Sequence, residues 1–348
     1  MENKDIKYIG ANWNQLEDPY THFFYEQNLS QFWRPEDISL QGDLQTWKNL
    51  SKFEQNIYSK NLLILTFLDT YQGDSGMLII SSSFTKEEHQ KKATLNFMGA
   101  MENAVHAKSY SNIFMTLLNS KQIDDLFLWG SNQQHLQNII IKIINIYENL
   151  EKKIFQRKYN DENITDLIFK KYQWKTMVAS VFLETWLFYS GFYYPLFFYS
   201  QGKLMQSGEI INLIIRDESV HGVYIARLAL NIYNSLDKST KDELSTWMYD
   251  LLKYFYKEQT ALVKSVYNEQ GLVNDVNKFV RYNANKALMN LGFNPYFEKE
   301  EVNPVILNGL NTETKTMDNF SMKGNGYQKM RSESLQDGDF VFFEPKIN

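Results

Sequence analysis

Apolar residues recur at helical spacing over about 51–74, 86–119, 123–156, 163–200, 206–236, 238–269 and 272–291 of this 348-residue chain. A sequence patterned in this way buries its apolar faces by packing helix on helix. Strand-like alternation bounded by turn signals is nearly absent. Only six prolines and 16 glycines are present, so the long stretches run uninterrupted. The expectation is an all-α fold. One stretch, residues 181–199 (VFLETWLFYSGFYYPLFFY), is apolar enough to suggest a membrane span. Glu184 near its start, Pro195 towards its end and the lack of a polybasic flank point instead to a helix buried on all sides at the centre of a bundle.

The absence of cysteine excludes disulfides, thiolate metal sites and any cysteine nucleophile or thiyl radical on these 348 residues. A net charge of −5 and a pI near 5.7 give no footprint for nucleic acid or an anionic membrane, so neither is expected as a partner. The opening MENKDIKYIG lacks the basic-then-apolar pattern of a secretory signal, and a cytoplasmic location is the default expectation.

The chemistry gathers around two of the five histidines. His221 follows Glu218 by three residues in IIRDESVHGVY, and His106 follows Glu102 by four in MENAVHAKSY. Either spacing puts both side chains on one helix face. Asp69 (NLLILTFLDTYQG) and Glu184 (SVFLETWLFYSGF) stand in apolar runs, where an unpaired carboxylate is costly. Each piece alone has an ordinary explanation: a surface Glu/His pair, or an acid that caps a neighbouring helix. Together, four carboxylates and two imidazoles on four helices fit the ligand set of ferritin-like dimetal carboxylate proteins, with iron or manganese as suitable ions. His22, His89 and His135 lack the pattern and read as ordinary residues.

The segments QFWRPED (31–37), LLILTFLDTYQG (62–73), MENAVHAKSYSNIF (101–114), FLETWLFYSGFYYPL (182–196) and IIRDESVHGVY (214–224) resemble the small subunit of class I ribonucleotide reductase. RYNANKALMNLGFNPYF (281–297) and FSMKGNGYQK (320–329) resemble its class Ib branch. The likeness runs nearly the whole chain in the family's order. It implies a ferritin-like bundle over residues 1–320 and a flexible tail over 321–348 that docks on the large, catalytic subunit. It also implies a homodimer with two manganese or two iron ions per chain, and a flavodoxin-like activator if the pair is manganese. Asp69, Glu102 and His106 would hold one ion, with Glu184, Glu218 and His221 on or bridging to the other.

By the same resemblance Tyr110 would carry a stable radical, and Trp33, Asp217 and Tyr327 would relay it towards the large subunit with His106. The residues agree for Tyr110, which lies one helical turn beyond His106. The tail segment QDGDFVFFEPKIN (336–348) combines acids with aromatic residues that could anchor on a partner. One departure stands out. Many relatives place the carboxylate three residues before the histidine, where this chain has Asn103. Glu102 is taken as the ligand, with a π-type widening of the helix helping it to reach. A ferritin-like oxidase or monooxygenase with its own substrate, or a metal-storage bundle, would use the same six residues without Tyr110, Trp33, Tyr327 or the tail.

Overall fold

The computed structural model describes residues 9–159 and 164–310, with side chains to residue 307. Among them every regular element is a helix. The first half holds α1 (Pro19–Ser30), α2 (Asp43–Asn49), α3 (Lys52–Tyr71), α4 (Met77–Ser82), α5 (His89–Met101), α6 (Lys108–Leu117), α7 (Ser120–Asn132) and α8 (Gln134–Lys158). The second holds α9 (Asp166–Phe182), α10 (Tyr189–Ser200), α11 (Met205–Asn234), α12 (Lys238–Tyr267), α13 (Val273–Asn290) and α14 (Pro304–Leu310). Short π segments, Gln72–Gly76, Glu102–Ala107 and Leu183–Leu187, join α3 to α4, α5 to α6 and α9 to α10. Helix starts follow their capping chemistry. Ser51 accepts from Glu54 N while Glu54 reaches back to Ser51 N, and Asn119 and Gln122 do the same for α7.

The predicted stretches recur with three differences. The first continues through α4 to Ser82, because Gly73 and Gly76 serve close packing rather than termination. A Cβ on Gly73 would lie 2.9 Å from Gly99 O and 3.0 Å from Glu102 Cβ of the neighbouring helix. The stretch 123–156 is two helices, parted at Gln133, which caps α8. Helices α1 and α14 fall where no long periodicity was read, and each opens on a proline, Pro19 and Pro304, within its first turn. Pro35–Asp37 forms a 3₁₀ turn, with Arg34 N donating to Asp37 Oδ2.

The apolar stretch around Glu184 is the interior of this bundle. Every residue from 176 to 196 is buried, and no helix among the described residues is long and apolar enough to cross a membrane. Pro195 lies inside α10 rather than ending it. Just before it the hydrogen-bond ladder shifts: Gly191 N donates to Phe188 O, and Leu187 O accepts from Gln259 Nε2 at 3.0 Å instead. A side chain from α12 thus satisfies a carbonyl that the π-to-α transition frees.

The cluster is framed by α3, which packs on α10 and the Glu102–Ala107 segment, and by α9, which packs on α11 and α8. Helix α11 is set by a tertiary cap. Asp43 accepts from Gln206 N (3.1 Å), Ser207 N (2.7 Å) and Ser207 Oγ (2.6 Å), although Leu204, at φ 49°, offers α11 no side-chain cap of its own. Asp43→Ala would leave those buried donors unmet and costs about 2 kcal/mol, read as a lower urea midpoint with an unchanged slope.

Candidate metal centre

Each acid of the constellation reaches the interior from its own helix. Asp69 lies on α3, Glu102 and His106 on one π segment, Glu184 on another, and Glu218 and His221 on α11; all are fully buried. The π segments solve the spacing problem. In the widened turn Glu102 points inward, while Asn103 is exposed and donates to Asp74 at 2.5 Å. Gly222 lets α11 come close, since a Cβ there would lie 2.4 Å from Thr185 Oγ1 and 3.3 Å from Glu184 Cβ.

The side chains converge on two positions. Asp69, Glu102, His106 and Glu218 form one group and Glu102, Glu184, Glu218 and His221 a second, each with ligand atoms within 4.8 Å of one another. Glu102 and Glu218 are common to both. His106 Nδ1 lies 3.1 Å from Glu218 Oε1 and 3.6 Å from Glu102 Oε2. His221 Nδ1 lies 2.7 Å from Glu102 Oε1 and 3.5 Å from Glu218 Oε2. None of the other three histidines joins such a group among the described residues.

The electrostatics are those of a site made for cations. Burial, and then the Glu102 carboxylate, push Asp69 well above the ordinary aspartate range. Burial with Glu102 and Glu184 does the same to Glu218. Burial works against charge on Glu102, yet His106 and His221 hold it down at about 2. Burial likewise opposes charge on His106, but the neighbouring Asp217 and Glu102 carboxylates outweigh it and hold that imidazole at about 10. Protons thus bind where positive charge is wanted.

The cluster passes a direct test of fit. Both Asp69 oxygens, both Glu218 oxygens, Glu102 Oε2, Glu184 Oε2 and His106 Nδ1 are buried with no hydrogen-bond partner. Buried polar atoms are almost always satisfied, so seven orphans in one place are atoms shaped for a ligand outside the chain. Two divalent ions would balance the four carboxylates, and oxygen with imidazole suits manganese or iron.

Sequence comparison decides between the uses such a cluster has. The family profile described as "Ribonucleotide reductase, small chain" matches residues 10–304. The chain is 53% identical to the ribonucleoside-diphosphate reductase subunit beta of Bacillus subtilis, covering 97% of this chain and 98% of that one. This chain belongs to the ribonucleotide reductase small-chain family. It is also 35% identical to the Escherichia coli ribonucleoside-diphosphate reductase 2 subunit beta, over 95% of this chain and 97% of that one. Among solved structures it is similar to the Streptococcus sanguinis dimanganese(II)-NrdF, with a TM-score of 0.77 and 39% identity over 87% of this chain and all of that one. The fold is accordingly ferritin-like.

The small chain places two more of the expected residues, Trp33 and Asp217, in one line of contact with His106. Trp33, buried between α1 and the Pro35–Asp37 turn, donates from Nε1 to Asp217 Oδ2 at 2.7 Å. The same oxygen lies 3.2 Å from His106 Nε2. A carboxylate there makes Nε2 the donor and leaves Nδ1 free to face the cluster. The Trp33 and His106 rings stack with centroids 6.3 Å apart. Gln31, which opens the QFWRPED segment but is assigned no role by the resemblance, also holds Asp217, donating to Oδ1 at 2.8 Å.

Tyr110 is fully buried on α6, and its hydroxyl has no hydrogen-bond partner. Burial first, then the charges of Asp69 and Glu218, push its pKa well above that of a free phenol. Tyr327 and the tail from about Ser321 lie outside the described residues.

Proposed function

We propose that this small chain is of the class Ib type. In this reading its buried cluster holds two manganese or iron ions, generates and keeps a radical on Tyr110, and passes it to a large subunit that reduces ribonucleotides. The observation that carries the reading is the set of orphaned ligand atoms arranged as two four-residue groups with Tyr110 beside them. Asp69, Glu102, His106 and Glu218 would hold one ion, and Glu102, Glu184, Glu218 and His221 the other. When bound, a pair of redox-active ions in this donor set supplies the one-electron oxidising power that a phenol at neutral pH requires.

The remaining work falls to the chain. Tyr110 loses one electron and its hydroxyl proton to become a neutral radical. Asp69, the carboxylate whose charge weighs most on that hydroxyl, is the proton acceptor on that side. Burial of the hydroxyl keeps water and reductants away from the radical. In the outward relay Trp33 supplies an electron inward, while Asp217 holds the Trp33 and His106 N–H groups in register. Tyr327 and the tail would extend the path to the large subunit. A homodimer is the working form, and a flavodoxin-like activator serves it if the ions are manganese. Three surface cavities among the described residues, of about 490, 460 and 360 Å³, are lined by residues outside the cluster.

Mixing the Mn- or Fe-loaded chain with a ribonucleotide reductase large subunit and following deoxyribonucleotide formation tests the reading. Turnover that needs both chains supports it; oxidation of a small molecule by this chain alone, with no such turnover, contradicts it. Ion removal has a thermodynamic signature as well. Saturation at about 100 times Kd adds about 2.7 kcal/mol per site to stability, so chelator-treated protein should melt several degrees lower and recover on adding Mn(II).

A further inference from the structure

Gln72, fully buried at the start of the π segment that follows Asp69, connects the cluster to a helix that supplies none of its acids or histidines. Its Nε2 donates to Glu184 Oε1 at 2.5 Å and to Ser180 Oγ at 2.6 Å. Its Oε1 accepts from the hydroxyl of Tyr147, on α8, at 2.6 Å. The direction of each bond follows from the chemistry. A carboxylate accepts, so the amide nitrogen faces Glu184, and the amide oxygen is left for a phenol that must donate. Gly76 makes the space: a Cβ there would lie 2.3 Å from Gln72 Oε1 and 2.7 Å from Tyr147 Cε2.

The bonds also divide the two oxygens of Glu184. Oε1 is taken by Gln72, whereas Oε2 has no hydrogen-bond partner and lies 3.7 Å from His221 Nδ1. Tyr147 differs from Tyr110 in the same respect. An amide oxygen cannot take up the phenol proton, so Tyr147 is suited to hold Gln72 and not to become a radical.

We propose that Gln72, locked by Tyr147, is the positioning residue that turns Glu184 Oε2 towards the second ion position. The proposal rests on reading the cluster as a dimetal site. Glu184 belongs to only one of the two ligand groups, so disturbing Gln72 should weaken one ion and spare the other.

Mn(II) titration of the metal-free chain, followed by the room-temperature paramagnetic resonance signal of free Mn(II), tests this. The wild type should bind two ions per chain. Gln72→Met keeps the chain length but removes all three bonds. It should weaken one equivalent by about 10- to 100-fold and leave the other unchanged. Tyr147→Phe leaves the amide in place but free to turn, and should weaken the same equivalent by less. It carries the test alone if Gln72→Met does not fold. Wild-type binding of both ions by both variants would overturn the proposal, as would equal weakening of both ions. A wild type that binds no pair of ions would remove the dimetal reading itself, and this proposal with it.

Discussion

Tyr110→Phe should abolish the stable organic radical and lower ribonucleotide reduction at least about 1,000-fold, the scale of loss when the group that carries the chemistry is removed. It should still bind two ions. The change removes one oxygen atom from a fully buried ring and leaves the ring's packing intact. That oxygen makes no hydrogen bond, so its loss orphans no partner and costs little stability. The variant therefore separates the radical from the metal site. Retention of most of the activity would mean that another residue is oxidised.

The second large effect is expected at Trp33. Trp33→Phe keeps an aromatic ring in a buried position but deletes the Nε1 donor to Asp217 and the more easily oxidised indole. The Tyr110 radical should form as in the wild type, because Trp33 contributes to neither ligand group. Turnover with the large subunit should nevertheless fall by about 1,000-fold, equivalent to a barrier raised by about 4 kcal/mol. Asp217 keeps Gln31 and His106 as partners, and the smaller ring leaves a cavity costing about 1–2 kcal/mol, too little to unfold a chain of this size. Turnover near the wild-type level would exclude Trp33 from the relay.

Much of this was legible in the residues because it depends on helical spacing. The i, i+3 and i, i+4 placement of Glu218 with His221 and Glu102 with His106 sets their faces in any helix, and Asp69 and Glu184 stood out as acids in apolar runs. The choice of Glu102 over Asn103 depended on a wider turn, which is present. What escaped depends on contacts between distant segments. Nothing near Tyr147 marks it as the partner of Gln72, 75 positions earlier. Asp43 reads as an ordinary surface acid until α11 arrives over it, 163 positions later. The periodicity over 51–74 stops short of Gly76, which with Gly73 brings neighbouring helices close together rather than ending one. Asp18-Pro19 carries a readable start signal for α1, with Asp18 accepting from Thr21 N, but no long periodicity follows it.

Loading of two ions by the buried cluster and oxidation of Tyr110 form one coupled expectation. Its most direct test is the low-temperature electron paramagnetic resonance spectrum of the metal-free chain after Fe(II) and air are admitted, with iron counted in the same sample. Two irons per chain and a tyrosyl doublet that is missing from Tyr110→Phe are expected. Two irons with no doublet, or a doublet that survives in Tyr110→Phe, would contradict the radical assignment, and failure to bind iron or manganese would contradict the site.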